Sequence, residues 1–194
     1  MHQSSLDKMT DFCARYLDFP DDGHQRTVID LGSQDINGTY RPLFDPKKWR
    51  YLGIDMAAGK NVDIVLRDPY RWREIRTASA DCVISGQAFE HTEYFWLSIL
   101  EIARVLKPGA LCCIIAPSTG PEHRYPVDCW RFYPDGMTAL ARYAELECLH
   151  AATSWDQTGY LDGSNMFCDT VLIARKPASA KRFPRWPWRR NSVG

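Results

Sequence analysis

The segment VIDLGSQDING at residues 28–38 decides the fold, because it joins an apolar run of strand length to a turn that contains glycine. Glycine lets a backbone approach a ligand closely and adopt conformations that a side chain would block. The turn holds only Gly32 and Gly38, and Gln34 stands where a second glycine is usual in the three-glycine dinucleotide fingerprint. The segment is therefore a weak signal by itself, and its neighbours have to decide what the turn does.

Further apolar runs alternate with helical or loop segments along the chain. Near-continuous apolar runs indicate strands that are covered on both faces, as in a parallel sheet. Helical spacing of apolar residues predicts helices over 5–19, 93–109 and 134–146. The predicted fold is α/β, a Rossmann-like, doubly wound, seven-stranded sheet in three layers, mostly parallel with an antiparallel last strand. The predicted strands are 27–31, 51–56, 62–66, 81–85, 110–117, 146–152 and 167–176.

Length and composition limit the class of protein. The 194 residues, 45% of them hydrophobic, suit one domain, which we place at 1–176. No run approaches the roughly 18 apolar residues of a membrane span, and the N-terminus lacks the apolar core of a signal peptide, so a cytoplasmic location is expected. The seven cysteines form no C-x-x-C pair, which predicts buried thiols and no metal site.

The tail at 177–194 differs from the rest of the chain. It holds five basic residues, three large aromatic residues and no acid, so the domain itself is mildly acidic although the whole chain is formally neutral. This balance makes nucleic-acid binding by the domain unlikely. Tryptophan and arginine together suit an anionic lipid surface, so we expect peripheral contact with the inner face of the membrane; the alternatives are a flexible solubilising tail or a nucleic-acid contact.

Five motifs in order, over residues 27–175, resemble class I S-adenosylmethionine-dependent methyltransferases. They are DLGS, YLGID, VDIVLRDPY, DCVISGQAFEH and EIARVLKPGALCCIIAPS. The resemblance implies S-adenosylmethionine as the cofactor, with DLGS holding its methionine part and the acid of YLGID holding both ribose hydroxyls. Asp55 is that acid, and it lies roughly 20 residues beyond the glycine turn, where an acid meets a ribose in such folds. The cofactor-binding residues expected are Asp30, Gly32, Gln34, Asn37, Asp55, Met56, Asp68, Ser85, Gly86 and Glu90.

The turn after the first strand departs from the family pattern. Asn37, next to Gly38, is expected to adopt left-handed backbone geometry, which helps the turn to act as a cofactor loop. Whether Gln34 or Asp35 contacts the cofactor directly stays open. The loss of glycine also keeps a second hypothesis open, in which the domain binds a cofactor or a partner without catalysis.

An NAD-dependent oxidoreductase is the third hypothesis, since the same topology binds dinucleotides. A dinucleotide needs backbone amides open to its pyrophosphate at a helix N-terminus. The segment GSQDING gives poorer access, and Asp35 would repel phosphates, whereas a sulfonium cation tolerates an acidic turn.

The acceptor is expected to meet the segment PSTGPEHRYPVDCWRFYPDG at 117–136, which follows the fifth strand. Its aromatic and charged residues suit a sugar-like or other small-molecule acceptor, and Tyr125, Trp130, Arg131 and Tyr133 are predicted to bind it; the competing interpretation is a lid whose aromatic rings pack on the core. An oxygen acceptor benefits from a base near neutral pKa. His123 is the first catalytic candidate and Asp128 the second, while His91 is expected to order the loop with Glu90.

Two further segments of the sequence bear on the identity of the acceptor. The fourth strand is followed by SGQAFEH and not by the Asn/Asp-Pro-Pro-aromatic motif of methyltransferases that act on planar nitrogens, which argues against nucleobases and amides. The HRYPVDCWRFYPDG segment resembles small bacterial methyltransferases associated with polysaccharide or glycolipid synthesis. A glycan acceptor is therefore expected by analogy alone.

Overall fold

The computed structural model describes residues 2–20, 22–156 and 159–179 of the chain. In these ranges it contains three α-helices and seven strands. The helices are α1 (Gln3–Tyr16), α2 (Phe95–Val105) and α3 (Pro134–Tyr143). The strands are β1 (Arg26–Leu31), β2 (Trp49–Asp55), β3 (Ile64–Val65), β4 (Ala80–Gly86), β5 (Leu106–Pro117), β6 (Glu147–Thr153) and β7 (Asp169–Arg175). The predicted tail falls mostly in 180–194, outside the described residues.

The strands form one sheet in the order β3-β2-β1-β4-β5-β7-β6. The first five strands are parallel, and β7 runs antiparallel to both of its neighbours. The strand order reverses between β1 and β4, which makes the carboxyl ends of these two strands the topological switch point where ligands bind in such sheets. The predicted fold class is confirmed.

Apolar residues cover both faces of the sheet, which explains why the strand sequences are apolar almost throughout. On one face Ile29 and Val83 pack with Ile99 of α2 and Leu140 of α3. On the other face Val28, Cys82 and Ile84 pack with Met9 and Phe12 of α1. Successive strand residues point to opposite faces, so two separate cores form the three predicted layers.

Several elements are shorter than predicted, and two of them are shortened for an identifiable local reason. The third strand was expected over 62–66 but covers only Ile64–Val65, because the Asp63 carboxylate, and not a strand carbonyl, accepts from the Gly53 amide at 2.7 Å. Helix α2 ends at Val105 because Leu106 is extended and pairs with Ala80 of β4.

All seven cysteines lie in the described residues and are free thiols. Cys82, Cys112 and Cys113 are buried, and burial raises the pKa of Cys112 to about 12. These three behave as small apolar core residues, as predicted. No helix in the described part of the chain is long and apolar enough to cross a membrane.

Candidate functional site

A cleft of about 920 Å³ opens at the carboxyl ends of β1, β2 and β4. We call its two parts the cofactor half and the acceptor half. The cofactor half comprises Asp30, Gly32, Gln34, Asn37, Asp55 and Met56, with Gly86 beside them. The acceptor half comprises His91, His123, Arg124 and Tyr125.

The turn after β1 depends on Gly32. This residue has a φ of +77°, and a Cβ placed on it would lie 2.4 Å from the Cβ of Ala88, which follows β4. The missing side chain therefore lets the turns after β1 and β4 approach at the switch point. Farther along, Gly38 has a φ of 137°, whereas Asn37 is not among the residues with positive φ. The expectation of left-handed geometry at Asn37 is wrong, because Gly38 supplies the reversal.

Asp55, at the end of β2, orders the same turn and faces the cleft. Its Oδ2 accepts from the Gln34 amide at 3.1 Å, and its Oδ1 accepts from the Ala57 amide at 3.2 Å. A carboxylate has room for about four hydrogen bonds. Asp55 can therefore accept from ligand hydroxyl groups while it holds the turn.

The structure separates the roles of Gln34 and Asp35. The Gln34 side chain lies over Gly59, where an added Cβ would come within 2.5 Å of its Nε2, and the residue lines the cleft. The Asp35 carboxylate accepts from the Gly38 amide and pairs with Lys60 at 2.7 Å. Asp35 thus stabilises the turn from outside the cleft.

Asp30 lies on the floor of the cleft at the end of β1, where it is 3% exposed. The Tyr51 hydroxyl donates a hydrogen bond to its Oδ2. Burial raises the pKa of Asp30 to about 7, although the hydrogen bond from Tyr51 opposes the shift. Near neutral pH this carboxyl group is therefore divided between its protonated and ionised forms.

Three of the residues predicted to bind the cofactor have other positions. Ser85 is buried and donates to the Leu31 carbonyl at 2.9 Å, so it joins β4 to β1. Asp68 accepts from the Tyr70 amide at 2.9 Å and fixes the turn that brings Tyr70 to the cleft wall. Glu90 is fully buried behind the wall. The first two therefore position the residues that line the cleft.

Sequence reasoning missed His2 and Tyr70, which also line the cleft. Tyr70 is the last residue of VDIVLRDPY, the motif that contains the predicted third strand, so its place near that strand's end was a usable signal. His2 stacks on Phe167 with ring centroids 4.8 Å apart. Nothing in the sequence predicted that contact, since it depends on the packing of α1 against a distant loop.

The acceptor half contains an unusual cluster around Glu90. The Nε2 atom of His91 is 3.6 Å from Oε1 of Glu90, and the rings of His91 and His123 have centroids 4.9 Å apart. Among the described residues, none forms a hydrogen bond with either carboxylate oxygen of Glu90. Burial raises the pKa of Glu90 to about 8 and lowers the pKa of His91. His91, which we expected only to order the loop, faces the cleft together with His123.

Asp128 has a structural role and is a poor candidate for a base. Its side chain is 2% exposed, and its two oxygens accept from Nη1 and Nη2 of Arg131 at 2.6 and 2.8 Å. It also accepts from the His123 amide at 2.7 Å. The hydrogen bonds from Arg131 hold the pKa of Asp128 well below its usual range. Asp128 and Arg131 therefore fix the loop that carries His123, and neither lines the cleft.

Of the four residues predicted to bind the acceptor, one lines the cleft and three do not. Tyr125 lines the cleft. Trp130 instead packs against Phe95 of α2 and donates to the Glu93 carbonyl at 3.2 Å, while Tyr133 lies beside Trp155. Trp130, Arg131 and Tyr133 do not line this cleft, so their role in binding the acceptor stays a prediction.

The charges of the cofactor half suit a cation better than phosphates. Asp30 and Asp55 both line it, whereas the nearby Lys60 and Arg41 are paired with Asp35 and Asp63. S-adenosylmethionine carries a sulfonium cation and ribose hydroxyls, which fit these two carboxyl groups. A pyrophosphate would meet two acids here, which disfavours the dinucleotide hypothesis.

Comparison with known proteins agrees with this geometry. Residues 37–114 match the family model described as a methyltransferase domain. No protein of curated function matches the sequence significantly.

Many solved structures share the fold. An S-adenosylmethionine-dependent methyltransferase from Methanosarcina mazei superposes with a TM-score of 0.61 at 14% identity, over 80% of this chain and 94% of that one. The 1,6-didemethyltoxoflavin-N1-methyltransferase of Burkholderia thailandensis gives 0.66 at 14% identity, over 90% and 79%. The cyclase SpnF gives 0.66 at 16% identity, over 91% and 84%. At such identities the likeness concerns the fold.

The domain match and the shared fold together confirm the resemblance to class I S-adenosylmethionine-dependent methyltransferases. The Burkholderia structure holds S-adenosylhomocysteine, the product that S-adenosylmethionine leaves after methyl transfer, and this agrees with the predicted cofactor.

Proposed function

We propose that this class I S-adenosylmethionine-dependent methyltransferase methylates a hydroxyl oxygen of a small polar acceptor, with sugar-like molecules as the first class to test. One observation carries the proposal: two imidazole rings, those of His91 and His123, face the same cleft as the carboxylate that suits a ribose. Imidazole is the side chain that most readily takes a proton near neutral pH. Nitrogen acceptors are less in need of such a base when they are already nucleophilic.

The chain's own residues have distinct tasks in this proposal. Bound S-adenosylmethionine supplies an electrophilic methyl group on a positively charged sulfur. Asp55 accepts hydrogen bonds from ribose hydroxyls, and the turn at Gly32 positions the methionine part. His123 takes the proton of the acceptor hydroxyl while the new O–C bond forms and the C–S bond breaks.

The Tyr125 ring and the Arg124 guanidinium support a sugar-like acceptor. Both line the acceptor half, and Tyr125 is 59% exposed with its ring free to stack on an apolar sugar face. A charged glycan would add a contact with Arg124. We extend the proposal to a lipid-linked glycan as the acceptor. We also propose that the 177–194 tail contacts a membrane surface, which would put the protein at the inner face of the membrane.

Isothermal titration tests the cofactor half first. S-adenosylmethionine and S-adenosylhomocysteine should bind, and NAD should not. Asp55→Ala should weaken binding about 10- to 100-fold, because hydrogen bonds to a charged group contribute about 1.5–3 kcal/mol. Asp11→Ala is the matched control, since Asp11 is exposed on α1 and pairs with Arg15 away from the cleft, and it should bind normally.

An acceptor screen then tests the reaction. Nucleotide sugars and lipid-linked glycans are offered with the cofactor, and the methylated atom is identified by NMR of the product. His123→Ala should lower kcat about 100-fold or more. Transfer to nitrogen or carbon in preference to oxygen would refute the proposal. Tight cofactor binding with no transfer to any acceptor class would favour the noncatalytic hypothesis.

A further inference from the structure

Three residues able to ligate a metal meet on the wall of the acceptor half. Glu90 and His91 belong to the short 3-10 helix after β4, and His123 belongs to the loop after β5. One ligand atom from each can be chosen so that all three lie within 4.8 Å of one another. A tetrahedral zinc site with bonds of about 2.1 Å holds its ligands roughly 3.4 Å apart. The 3.6 Å separation of Glu90 and His91 is therefore already close to ligand spacing.

The Glu90 carboxylate lacks the partners that a buried charge needs. Glu90 is 0% exposed, and both of its carboxyl oxygens lack a hydrogen bond within the described part of the chain. The Arg131 guanidinium, whose charge favours the ionised form of Glu90, is committed to Asp128. A buried carboxyl group without hydrogen-bond partners is costly in either protonation state, and a cation bound between Glu90 and its neighbours would supply the missing partner.

The hydrogen bond of His91 directs a bare nitrogen at Glu90. Its Nδ1 lies 2.5 Å from the Val127 carbonyl oxygen. A carbonyl only accepts, so Nδ1 carries the hydrogen and Nε2 of the neutral ring presents a lone pair. The nitrogen that carries this lone pair lies 3.6 Å from Oε1 of Glu90. A histidine that ligates a metal usually donates its other N–H to a carbonyl or a carboxylate in this way.

The Asp128 carboxylate lies beside His123 without a hydrogen bond to its ring. Its Oδ2 is 3.3 Å from Nδ1 of His123, that Nδ1 has no hydrogen-bond partner among the described residues, and Arg131 holds the carboxylate. A carboxylate behind a histidine orients the ring and raises its basicity as a ligand. The role of the Asp128–Arg131 pair as a support for His123 therefore fits a metal site as well as it fits a rigid loop.

We propose that Glu90, His91 and His123 bind one divalent transition-metal ion, with an open coordination position that faces the cleft. Two neutral imidazoles and one carboxylate are the nitrogen and oxygen donors that Zn²⁺ and related ions prefer. His91 and His123 line the cleft, so the remaining position opens toward the acceptor. The sequence predicted no metal because His123 lies far along the chain from the Glu90-His91 pair.

The site would also change the chemistry of the acceptor half, a consequence that rests on the proposed function. A hydroxyl group bound at the open position ionises at a lower pH and releases its proton to solvent. His123 would then act as a ligand and not as the base. Chelation would lower transfer to hydroxyl acceptors without weakening the binding of S-adenosylmethionine.

Metal binding is tested on the full chain without any assay of activity. The protein is stripped with a chelator, titrated calorimetrically with Zn²⁺, and its metal content is measured after buffer exchange. One equivalent should bind. Glu90→Gln and His123→Ala should each weaken binding about 100-fold or more, since even outer partners of a metal site are worth 10- to 100-fold.

Two control variants distinguish this site from other ligands on the chain. His150→Ala removes an exposed histidine on β6, and Cys129→Ser removes an exposed thiol whose backbone amide donates to the Glu90 carbonyl at 2.7 Å. Both should bind one equivalent as the unmodified chain does. Circular dichroism melting checks that each variant is folded, and the rise in Tm on adding Zn²⁺ should be absent in Glu90→Gln.

Two results would overturn the metal site: no saturable uptake by the unmodified chain, or uptake that survives in the Glu90→Gln/His123→Ala double variant. The proposed function is tested separately by titrating the metal-free chain with S-adenosylmethionine. Zn²⁺ uptake without cofactor binding would refute the function and keep the metal site. Cofactor binding and methyl transfer without Zn²⁺ uptake would refute the metal site and keep the proposed function.

Discussion

The cofactor half of the cleft is made from backbone turns at strand ends, whereas the acceptor half is made from side chains on a 3-10 helix and a loop. Gly32 and Asp55 follow β1 and β2 directly, so the sheet itself fixes where they lie. His123 depends instead on the Asp128–Arg131 ion pair and on the carbonyl contacts of Arg131. The two halves should therefore respond differently to substitution.

The difference concerns what holds each half in place. Hydrogen bonds between strands position the cofactor half, and they form wherever the sheet forms. The acceptor half needs a charged network within one loop, and such loops vary in conformation more readily than the strands they connect. Chains with this fold can therefore keep one cofactor site and change the acceptor, in line with the different reactions carried by the structures that resemble it.

The largest effect is expected from Gly32→Ala in the cofactor half. An alanine at this position would have to keep a left-handed backbone conformation, and its Cβ would overlap the Cβ of Ala88 at 2.4 Å. We expect a loss of about 2–5 kcal/mol in the free energy of unfolding, from backbone strain and overpacking together. Urea denaturation measures the loss, and titration should show that cofactor binding is lost with it.

Two further variants make this test specific. Gly32→Ala combined with Ala88→Gly removes the overlap and should recover part of the stability. Gly136→Ala, in α3 with open space around the added Cβ, should raise stability by up to about 1 kcal/mol. A Gly32→Ala variant as stable as the unmodified chain would mean that the two turns are not packed at the switch point.

The second effect is expected from Asp128→Asn in the acceptor half. Losing the charge paired with Arg131 should cost about 1.5–3 kcal/mol of stability. Cofactor affinity should change less than about two-fold, because Asp128 does not contact the cofactor half. Glu122→Gln is the control: its ion pair with Arg124 is exposed, so little stability should be lost. A large loss of cofactor affinity in Asp128→Asn would show that the two halves are coupled.

The same contrast explains what the sequence could predict. The succession of strands along the chain, the positions of Gly32 and Asp55 and the antiparallel last strand followed from apolar runs and from motifs at strand ends. The roles of Asp128, Arg131, Trp130 and Tyr133 did not, because their segment has no periodic pattern and its charged groups could pair within the loop or face a ligand. The cluster of Glu90 with His91 and His123 was missed because only the fold brings the two segments together.

The third effect concerns the pH dependence of stability through Asp30. Its pKa is about 7 in the folded protein and near 3.8 when unfolded, so the folded state binds more protons between these values. Stability should therefore fall as pH rises from 5 to 7, by up to about 1.4 kcal/mol per pH unit from this group. Tyr51 donates to Asp30, while Asp55 raises its pKa and Arg41 lowers it.

Asp30→Asn keeps an acceptor for Tyr51 but removes the titration. The variant should show a flatter profile of Tm against pH over that range. Glu90, whose pKa is raised to about 8, remains in both proteins, so the difference between the two profiles isolates Asp30. Parallel profiles would show that Asp30 is ionised throughout.

The smallest effect on stability is expected from a pair of tyrosines that differ in position and little else. Tyr125 and Tyr133 are 59% and 55% exposed, but only Tyr125 lines the cleft. Each change to alanine should cost less than about 1 kcal/mol of stability, as is usual for exposed positions. Tyr125→Ala should raise KM for the acceptor about 3- to 10-fold, since an aromatic contact contributes about 0.5–1.5 kcal/mol, and Tyr133→Ala should leave KM unchanged. Equal KM values for the two variants would remove Tyr125 from the acceptor half, and a raised KM in Tyr133→Ala alone would mean that the loop turns over when the acceptor binds.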